Sequence, residues 1–288
     1  MTRQTPTLAR YLAHPAAFVL FVFAWTWSFW LTAIATGTGT DTPFGMLLAT
    51  LGLLGPMIGG IGFTLFTQDR DGRRDYWRRL IDPRLIGARW YLVILVLVPA
   101  LMGLTAALDL MTGGNFDAYA ARFAEFFADP AAIPTTLIAV MLLGPLPEEF
   151  GWRGYLLDRL QSKAAPLRAS LVLGFIWAVW HLPLFFLPGT YQFAQGAFGI
   201  WFWTFMAGIV PLSVAMTWIY NRTNRSILGM VLFHFVVVVV YNFLNATPGA
   251  NVISTLLLVL LAIALVPGLK RVPIEAGRDL ASRSGGAD

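Results

Sequence analysis

Apolar residues along this chain gather into eight long stretches, which are separated by polar, basic or proline-containing segments. Each stretch is long enough to cross about 30 Å of hydrocarbon at about 1.5 Å per helical residue. Because backbone amides in lipid need internal partners and no alternating barrel pattern is present, the stretches are predicted to be helices. The predicted spans are residues 15–36, 44–66, 90–112, 134–158, 169–187, 198–220, 226–246 and 250–268.

Composition supports this interpretation. Hydrophobic residues make up 57% of the 288 residues and charged residues only 12%, whereas a soluble domain carries about 25% charged residues. The chain therefore has too little polar surface to cover a water-facing globule. We predict an all-α integral membrane protein, multi-pass in the cell membrane. It forms a single membrane domain over residues 1–288, with an embedded core at 15–268 and a polar cytoplasmic tail at 269–288.

The positions of the basic residues predict an orientation. Of the 20 Lys and Arg residues, all except Arg122 and Arg153 fall on one side of an eight-span arrangement. The positive-inside rule makes that side cytoplasmic, with both termini inside. This placement explains the net charge of +5, so no nucleic-acid partner is predicted. The absence of cysteine excludes a disulfide, a thiol nucleophile and a thiolate metal site.

The connection between the second and third spans contains both arginines and apolar residues. Trp77, Leu80 and Ile81 follow an i, i+3, i+4 spacing among the arginines. One interpretation is an amphipathic helix lying on an anionic leaflet. The alternative is a basic loop that only orients the protein. The sequence leaves both open.

Within the fourth span, the segment GPLPEEFGWRGY contains three charged residues. A charge at mid-bilayer costs about 2.5–3.5 kcal/mol on insertion scales, so these residues are expected to face a protein-lined cavity. Glu149 and Arg153 are spaced i, i+4 and are predicted to form an ion pair. Glu148 points about 100° away from Glu149 and has no local partner.

Two prolines precede the glutamates. Pro145 and Pro147 lack the N–H that a continuous helix needs, so a kink or a restart of the helix is predicted there. With Pro147 in the first turn, both glutamates lie at a helix N-terminus, where the helix dipole favours the ionised carboxylate. An ionised Glu148 in a small wet pocket is a candidate general base.

Two histidines are predicted at nearly the same depth as Glu148. His181 lies in the fifth span and His234 in the seventh, at about 18 Å and 12 Å from the cytoplasmic side, compared with about 15 Å for Glu148. The third histidine, His14, precedes the first span and is assigned no chemistry. Either histidine alone fits a helix–helix hydrogen bond. Two histidines level with an unpaired glutamate favour a reactive site.

The motif EEFGWRGYLL, with His181 in FIWAVWHLP and His234 in RSILGMVLFHF, resembles the CAAX-protease and bacteriocin-processing family of intramembrane proteases. The resemblance implies that Glu148 and His181 activate a water for attack on a peptide carbonyl. It also implies that His234 helps to bind the oxyanion and that Glu149 and Arg153 shape the pocket. The expected function is hydrolysis of a peptide bond in a membrane-associated or lipidated peptide or protein.

Two positions depart from the family pattern. Trp177 stands where the family usually has Phe, four residues before the histidine, and Val238 stands where it usually has a polar residue, often Asn. The loss at Val238 keeps a non-enzymatic membrane chaperone or immunity protein open as an alternative. A proton-coupled transporter is the second alternative, since intramembrane Glu, Arg and His also form proton relays.

The sequence does not decide whether a metal takes part. Glu148, His181 and His234 would offer Zn²⁺ three ligands plus a water. The same side chains would also serve directly as base and orienting group. The expected partners are a peptide or membrane-protein substrate and the lipid bilayer, and no oligomeric state is predicted.

Overall fold

In the computed structural model, residues 11–269 are described, and all regular structure within them is helical. The helices, numbered here in chain order, are α1 Pro15–Ala35, α2 Pro43–Leu53, α3 Gly55–Thr67, α4 Arg70–Ile81, α5 Ala88–Met111, α6 Phe116–Phe127, α7 Ile133–Leu142, α8 Pro145–Gly151, α9 Leu157–Lys163, α10 Pro166–Trp180, α11 Tyr191–Gln195, α12 Ile200–Arg222, α13 Ile227–Leu244 and α14 Pro248–Leu265. A π-helical turn, Trp152–Leu156, joins α8 to α9.

Eight helical segments within the described residues are long and apolar enough to cross a membrane. They are Pro15–Ala35, Pro43–Thr67, Ala88–Met111, Pro130–Lys163, Pro166–Phe185, Ile200–Arg222, Ile227–Leu244 and Pro248–Gly268. The prediction of an eight-span, all-α, multi-pass membrane protein is therefore confirmed. The orientation stays a prediction, and the predicted cytoplasmic tail falls, beyond its first residue, outside the described residues.

The segment between the second and third spans forms helix α4, so the interpretation as a loop is wrong. The carboxylate of Asp69 caps the helix by accepting a hydrogen bond from the Gly72 amide at 3.0 Å. One face of α4 packs into the protein and buries Tyr76 and Leu80. Trp77 remains exposed on another face. Of the three apolar residues in the sequence pattern, Leu80 is therefore buried in the protein, whereas Trp77 and Ile81 are exposed.

The fourth span is broken where the two prolines predicted a restart. Helix α7 ends at Leu142, and α8 begins at Pro145, which places Glu148 in its first turn. The π-helical turn that follows was not predicted. Its closing hydrogen bond runs from the Leu157 amide to the Trp152 carbonyl. Such turns are rare and are often found at functional sites.

Helices α3 and α8 pack with their backbones in direct contact. A Cβ added to Gly60 would lie 2.3 Å from the Phe150 carbonyl oxygen, and one added to Gly151 would lie 2.4 Å from the Pro56 carbonyl oxygen. Helix α13 packs against the other side of α8, and α12 lies between α10 and α14. Glycine at these two positions therefore allows α8, with its glutamates, to lie inside the bundle.

Candidate active site

The predicted ion pair between Glu149 and Arg153 is present and fully buried. Arg153 Nη1 lies 2.7 Å from Glu149 Oε1, and both side chains have no exposed area. The same carboxylate oxygen lies 3.0 Å from Nδ1 of His234, which α13 supplies. Glu149 therefore does more than the spacing predicted, because it connects Arg153 on its own helix to a histidine from another span.

Trp177 is the residue that sequence reasoning missed. Its indole Nε1 donates to Glu148 Oε2 at 2.6 Å, and its carbonyl oxygen lies 2.8 Å from Nδ1 of His181. The guanidinium carbon of Arg153 lies 4.5 Å from the centre of its ring, and the ring meets that of His234 edge-on at 5.2 Å. Through its side chain and its backbone carbonyl, this one residue contacts four of the five predicted site residues.

A signal for this role was present in the sequence. The indole N–H of a buried Trp usually has an acceptor, and Trp177 lies on α10 one helical turn before His181. Treating Trp177 as only an aromatic replacement for Phe overlooked the donor that Phe lacks. The prediction that Glu148 has no partner is correct for its own helix, but α10 supplies one.

The hydrogen bonds of the two histidines define where their protons lie. The carbonyl oxygen of Trp177 only accepts, so Nδ1 of neutral His181 carries the proton and Nε2 carries a lone pair. By the same argument, Nδ1 of His234 donates to the Glu149 carboxylate. Within residues 11–269, neither Nε2 has a hydrogen-bond partner. Both atoms are therefore available to a ligand.

Glu148, Trp177, His181 and His234 line a single cavity of about 440 Å³. Most of the remaining lining is apolar. It includes side chains from seven spans, namely Trp30, Met46, Leu53, Leu97, Leu101, Met102, Leu184, Phe205, Ile209, Leu212, Val237 and Leu258. Glu149 and Arg153 do not line it. The five predicted site residues are thus brought together in two layers, with the ion pair behind the residues that face the cavity.

The departure at Val238 is visible in the cavity wall. Val238 lines the cavity one turn beyond His234 and offers no hydrogen-bond donor there. Asn242 also lines it, but its side-chain amide donates to the Val238 carbonyl at 2.9 Å. Tyr241 donates to Asn251 on α14. Neither Asn242 nor Tyr241 therefore supplies a polar group at the position of Val238.

The comparisons with known proteins decide the family. The model of the type II CAAX prenyl endopeptidase Rce1-like family matches residues 130–240. A curated protein of Methanococcus maripaludis, CAAX prenyl protease 2, is 30% identical over 222 residues, which is 77% of this chain and 81% of that protein. This chain belongs to the Rce1-like CAAX prenyl endopeptidase family. It is therefore an intramembrane protease, as its motifs predicted.

Membership of this family changes the balance between the candidate functions. The matched segment, 130–240, contains the five predicted site residues and Trp177. The comparisons favour the endopeptidase over the transporter and over the chaperone or immunity protein. They leave the roles of the individual residues to be argued from the geometry.

The zinc arrangement considered from the sequence stays a prediction. Within residues 11–269, no group of three or more His, Asp or Glu side chains is placed to hold a metal ion. Glu148, His181 and His234 line one cavity but do not form such a group. Whether a metal takes part is left to the measurement described under the proposed function.

Proposed function

We propose that this endopeptidase cleaves a peptide bond near the C-terminus of a prenylated CAAX substrate, with Glu148 as the general base. The name of its relative supplies the substrate class. The observation that carries the proposal is the cavity, in which one carboxylate and two histidines stand in a largely apolar wall. A prenylated peptide needs an apolar surface for its lipid chain and, next to it, polar side chains that act on the peptide bond.

The apolar lining supports a lipidated substrate. A cavity of about 440 Å³ falls in the range of roughly 300–1,000 Å³ that is typical of ligand pockets. Transfer of an isoprenoid chain from water into such a wall contributes about 25 cal/mol for each Å² of apolar surface that it buries. The polar peptide end would then lie against Glu148, the carboxylate in the wall.

Glu148 and His181 would activate a water between them. The indole of Trp177 holds Oε2 of Glu148, which leaves Oε1 to accept a proton from the water. Nε2 of His181 accepts the second hydrogen of that water and orients it. The water oxygen bonds to the peptide carbonyl carbon, the C–N bond then breaks, and the proton held by Glu148 passes to the leaving amine.

His234 would stabilise the tetrahedral intermediate. Its Nδ1 donates to Glu149, so Nε2 offers an N–H only when the ring is doubly protonated. In that form the ring would face the carboxylate of Glu149, 3.0 Å from Nδ1. A cationic donor beside the developing oxyanion is a strong form of this interaction. It offers one reason why the family's usual polar residue at position 238 is dispensable here.

Cleavage of a farnesylated CAAX peptide by the purified protein in detergent tests the proposal. We expect the wild type to cleave it and to leave the same peptide without the lipid largely intact, because the apolar cavity then contributes no binding energy. Glu148→Gln should bind the lipidated peptide without cleaving it. Equal cleavage of the two peptides would reject the prenylated substrate while leaving the endopeptidase assignment in place.

The metal question has its own measurement. With no metal-dependent step, turnover should survive purification in the presence of a strong chelator, and the active protein should contain less than one equivalent of zinc. His181→Ala would then lower turnover without changing the metal content. A stoichiometric metal that is lost together with activity would overturn direct catalysis by Glu148 and His181.

A further inference from the structure

Helix α4 presents an outward face that the active site does not use. We define it by five residues, Arg70, Arg74, Trp77, Arg78 and Ile81, all of which are exposed. At about 100° per residue, these side chains fall within an arc of roughly 100° around the helix. Trp77 is 39% exposed and Ile81 69% exposed. The face therefore combines three positive charges with two large apolar side chains.

The opposite side of α4 fixes the helix to the protein. Tyr76 donates to the Phe150 carbonyl at 3.1 Å, and Arg79 donates to the Gly154 carbonyl at 3.3 Å. Both side chains are buried. Since these contacts anchor α4 to α8 and to the π-helical turn that follows it, the outward face is held in place before any partner arrives.

The charges on this face are largely uncompensated. The acidic partner of Arg78 is Asp82, at 3.8 Å and with the arginine side chain 61% exposed. In the part of the chain that the structure describes, Arg70 and Arg74 form no ion pair. Such a pattern attracts an anionic partner, because exposed arginines bind phosphate through two parallel hydrogen bonds.

The position of α4 between two membrane spans indicates which anionic partner it meets. Two residues separate α4 from the span that ends at Thr67, and the next span begins at Ala88, so α4 lies at the edge of the membrane. Tryptophan and arginine are typical anchors at the level of lipid headgroups. We propose that the outward face of α4 binds the phosphates of anionic phospholipids, with Trp77 and Ile81 inserted beside them.

The chain offers a direct test because it contains no cysteine. A nitroxide label on Asp71→Cys, an exposed position beside the face, would report how accessible α4 is to a water-soluble relaxation agent. The full chain would be reconstituted in vesicles of phosphatidylcholine alone or of phosphatidylcholine and phosphatidylglycerol in equal parts. We expect lower accessibility in the anionic vesicles, with the difference reduced at high salt.

The charge variants identify the residues responsible. Arg70→Gln, Arg74→Gln and Arg78→Gln together should remove the difference between the two vesicles. Each arginine is worth roughly fivefold in affinity for an anionic surface, so the phosphatidylglycerol fraction needed for half-maximal protection should rise more than tenfold. The triple Arg→Lys variant should keep most of the effect. Arg89→Gln, Lys163→Gln and Arg168→Gln, which remove three exposed charges elsewhere, should keep it fully.

Three outcomes would overturn the proposal. Equal accessibility in both vesicles would mean that the face does not recognise anionic lipid. Protection that grows with the ratio of protein to lipid would identify a second copy of the chain as the occupant. If both Gln triple variants lost the protection in anionic vesicles equally, the protection would depend on the net charge of the protein and not on the face of α4.

Discussion

The helical segment from Pro145 to Lys163 carries a buried cluster of charges on each of two sides. The site cluster contains Glu148, Glu149, Arg153, His181 and His234. The rear cluster contains Asp75, Arg79, Asp158, Tyr220 and Arg225. Both clusters are made mostly of buried side chains, from three or more helical elements each. Buried charge alone therefore does not distinguish a reactive site from a structural one.

The two clusters differ in how completely their charges are matched. In the rear cluster, two arginines face two aspartates. Arg79 Nε lies 2.8 Å from Asp75 and its Nη1 lies 3.2 Å from Asp158, while Nη1 also donates to Tyr220 at 2.6 Å. Burial disfavours the charge of Arg79, but Tyr220, Asp158 and Asp75 outweigh it and raise the pKa of Arg79 above its ordinary value. Arg225 pairs with both aspartates.

In the site cluster, by comparison, the charges are not fully matched. It has two carboxylates and one guanidinium, so one negative charge has no cationic partner unless His234 takes up the proton that the proposed mechanism requires. Within residues 11–269, Glu149 Oε2 and the Nε and Nη2 atoms of Arg153 are buried without a hydrogen-bond partner. In the rear cluster Arg79 Nε also lacks a hydrogen bond, but it lies 2.8 Å from the Asp75 carboxylate. Glu148 opens onto the cavity. Unmatched polar groups beside a cavity, rather than buried charges as such, are what indicate chemistry here.

The largest effect should come from Glu148→Gln. This change keeps the shape and the acceptor oxygen for Trp177 but removes the base, so turnover should fall by roughly 10²–10⁴-fold. The thermal melt in detergent should stay close to that of the wild type, because the side chain has no ion-pair partner to lose. Peptide cleavage and melting would be measured on the same preparation. Cleavage near the wild-type rate would show that another group is the base.

Arg79→Gln should lower the stability of the protein rather than its turnover. Among the described residues, it leaves Asp75 and Asp158 with Arg225 as their one remaining arginine partner. Breaking a buried ion pair typically costs about 3–5 kcal/mol. The yield of folded protein and the melting temperature should both fall. Turnover per folded molecule should change little, because Arg79 does not reach the cavity. A stable Arg79→Gln protein with greatly reduced turnover would erase the distinction between the clusters.

The contrast also explains what the sequence could predict. The spans follow from apolar length, and the Glu149–Arg153 pair follows from an i, i+4 spacing, because both depend on local geometry. The break before Pro145 follows from its missing N–H. The rear cluster could not be found in this way, since Arg79 looked like one more positive-inside arginine. Its partners, Asp158 and Tyr220, are about 80 and 140 residues away in sequence.

The site itself was predicted in part. The residue types and their depths indicated Glu148, His181 and His234, and the structure has them around one cavity. What the sequence did not provide was the connection between them. Trp177 carries that connection through its indole N–H and its carbonyl oxygen. Such contacts depend on how α8 and α10 approach each other, which no local pattern encodes.

Trp177→Phe should have an intermediate effect. Phe keeps an aromatic ring and is the residue that the family usually has at this position, but the donor to Glu148 is lost. A hydrogen bond to a charged group is worth about 1.5–3 kcal/mol, so we expect turnover to fall about 10- to 100-fold while the protein stays folded. The loss should appear mainly in kcat, because Glu148 acts on the water rather than on substrate binding.

Trp180→Phe is the matched control for that variant. Trp180 is equally buried and lines the same cavity, but its indole nitrogen has no hydrogen-bond partner among the described residues. Removing that N–H should therefore change kcat far less than the change at Trp177. Equal losses in the two variants would mean that ring volume, and not the hydrogen bond to Glu148, determines the effect.

The smallest effect is expected from Arg78→Gln, next to Arg79 on the same helix. Its ion pair with Asp82 is long, at 3.8 Å, and the arginine side chain is 61% exposed. Exposed pairs of this kind contribute about 0–1 kcal/mol. In detergent without anionic lipid, the melting temperature and turnover should both stay close to the wild type. A loss as large as that of Arg79→Gln would show that the whole of α4, and not the rear cluster, stabilises the helix with the glutamates.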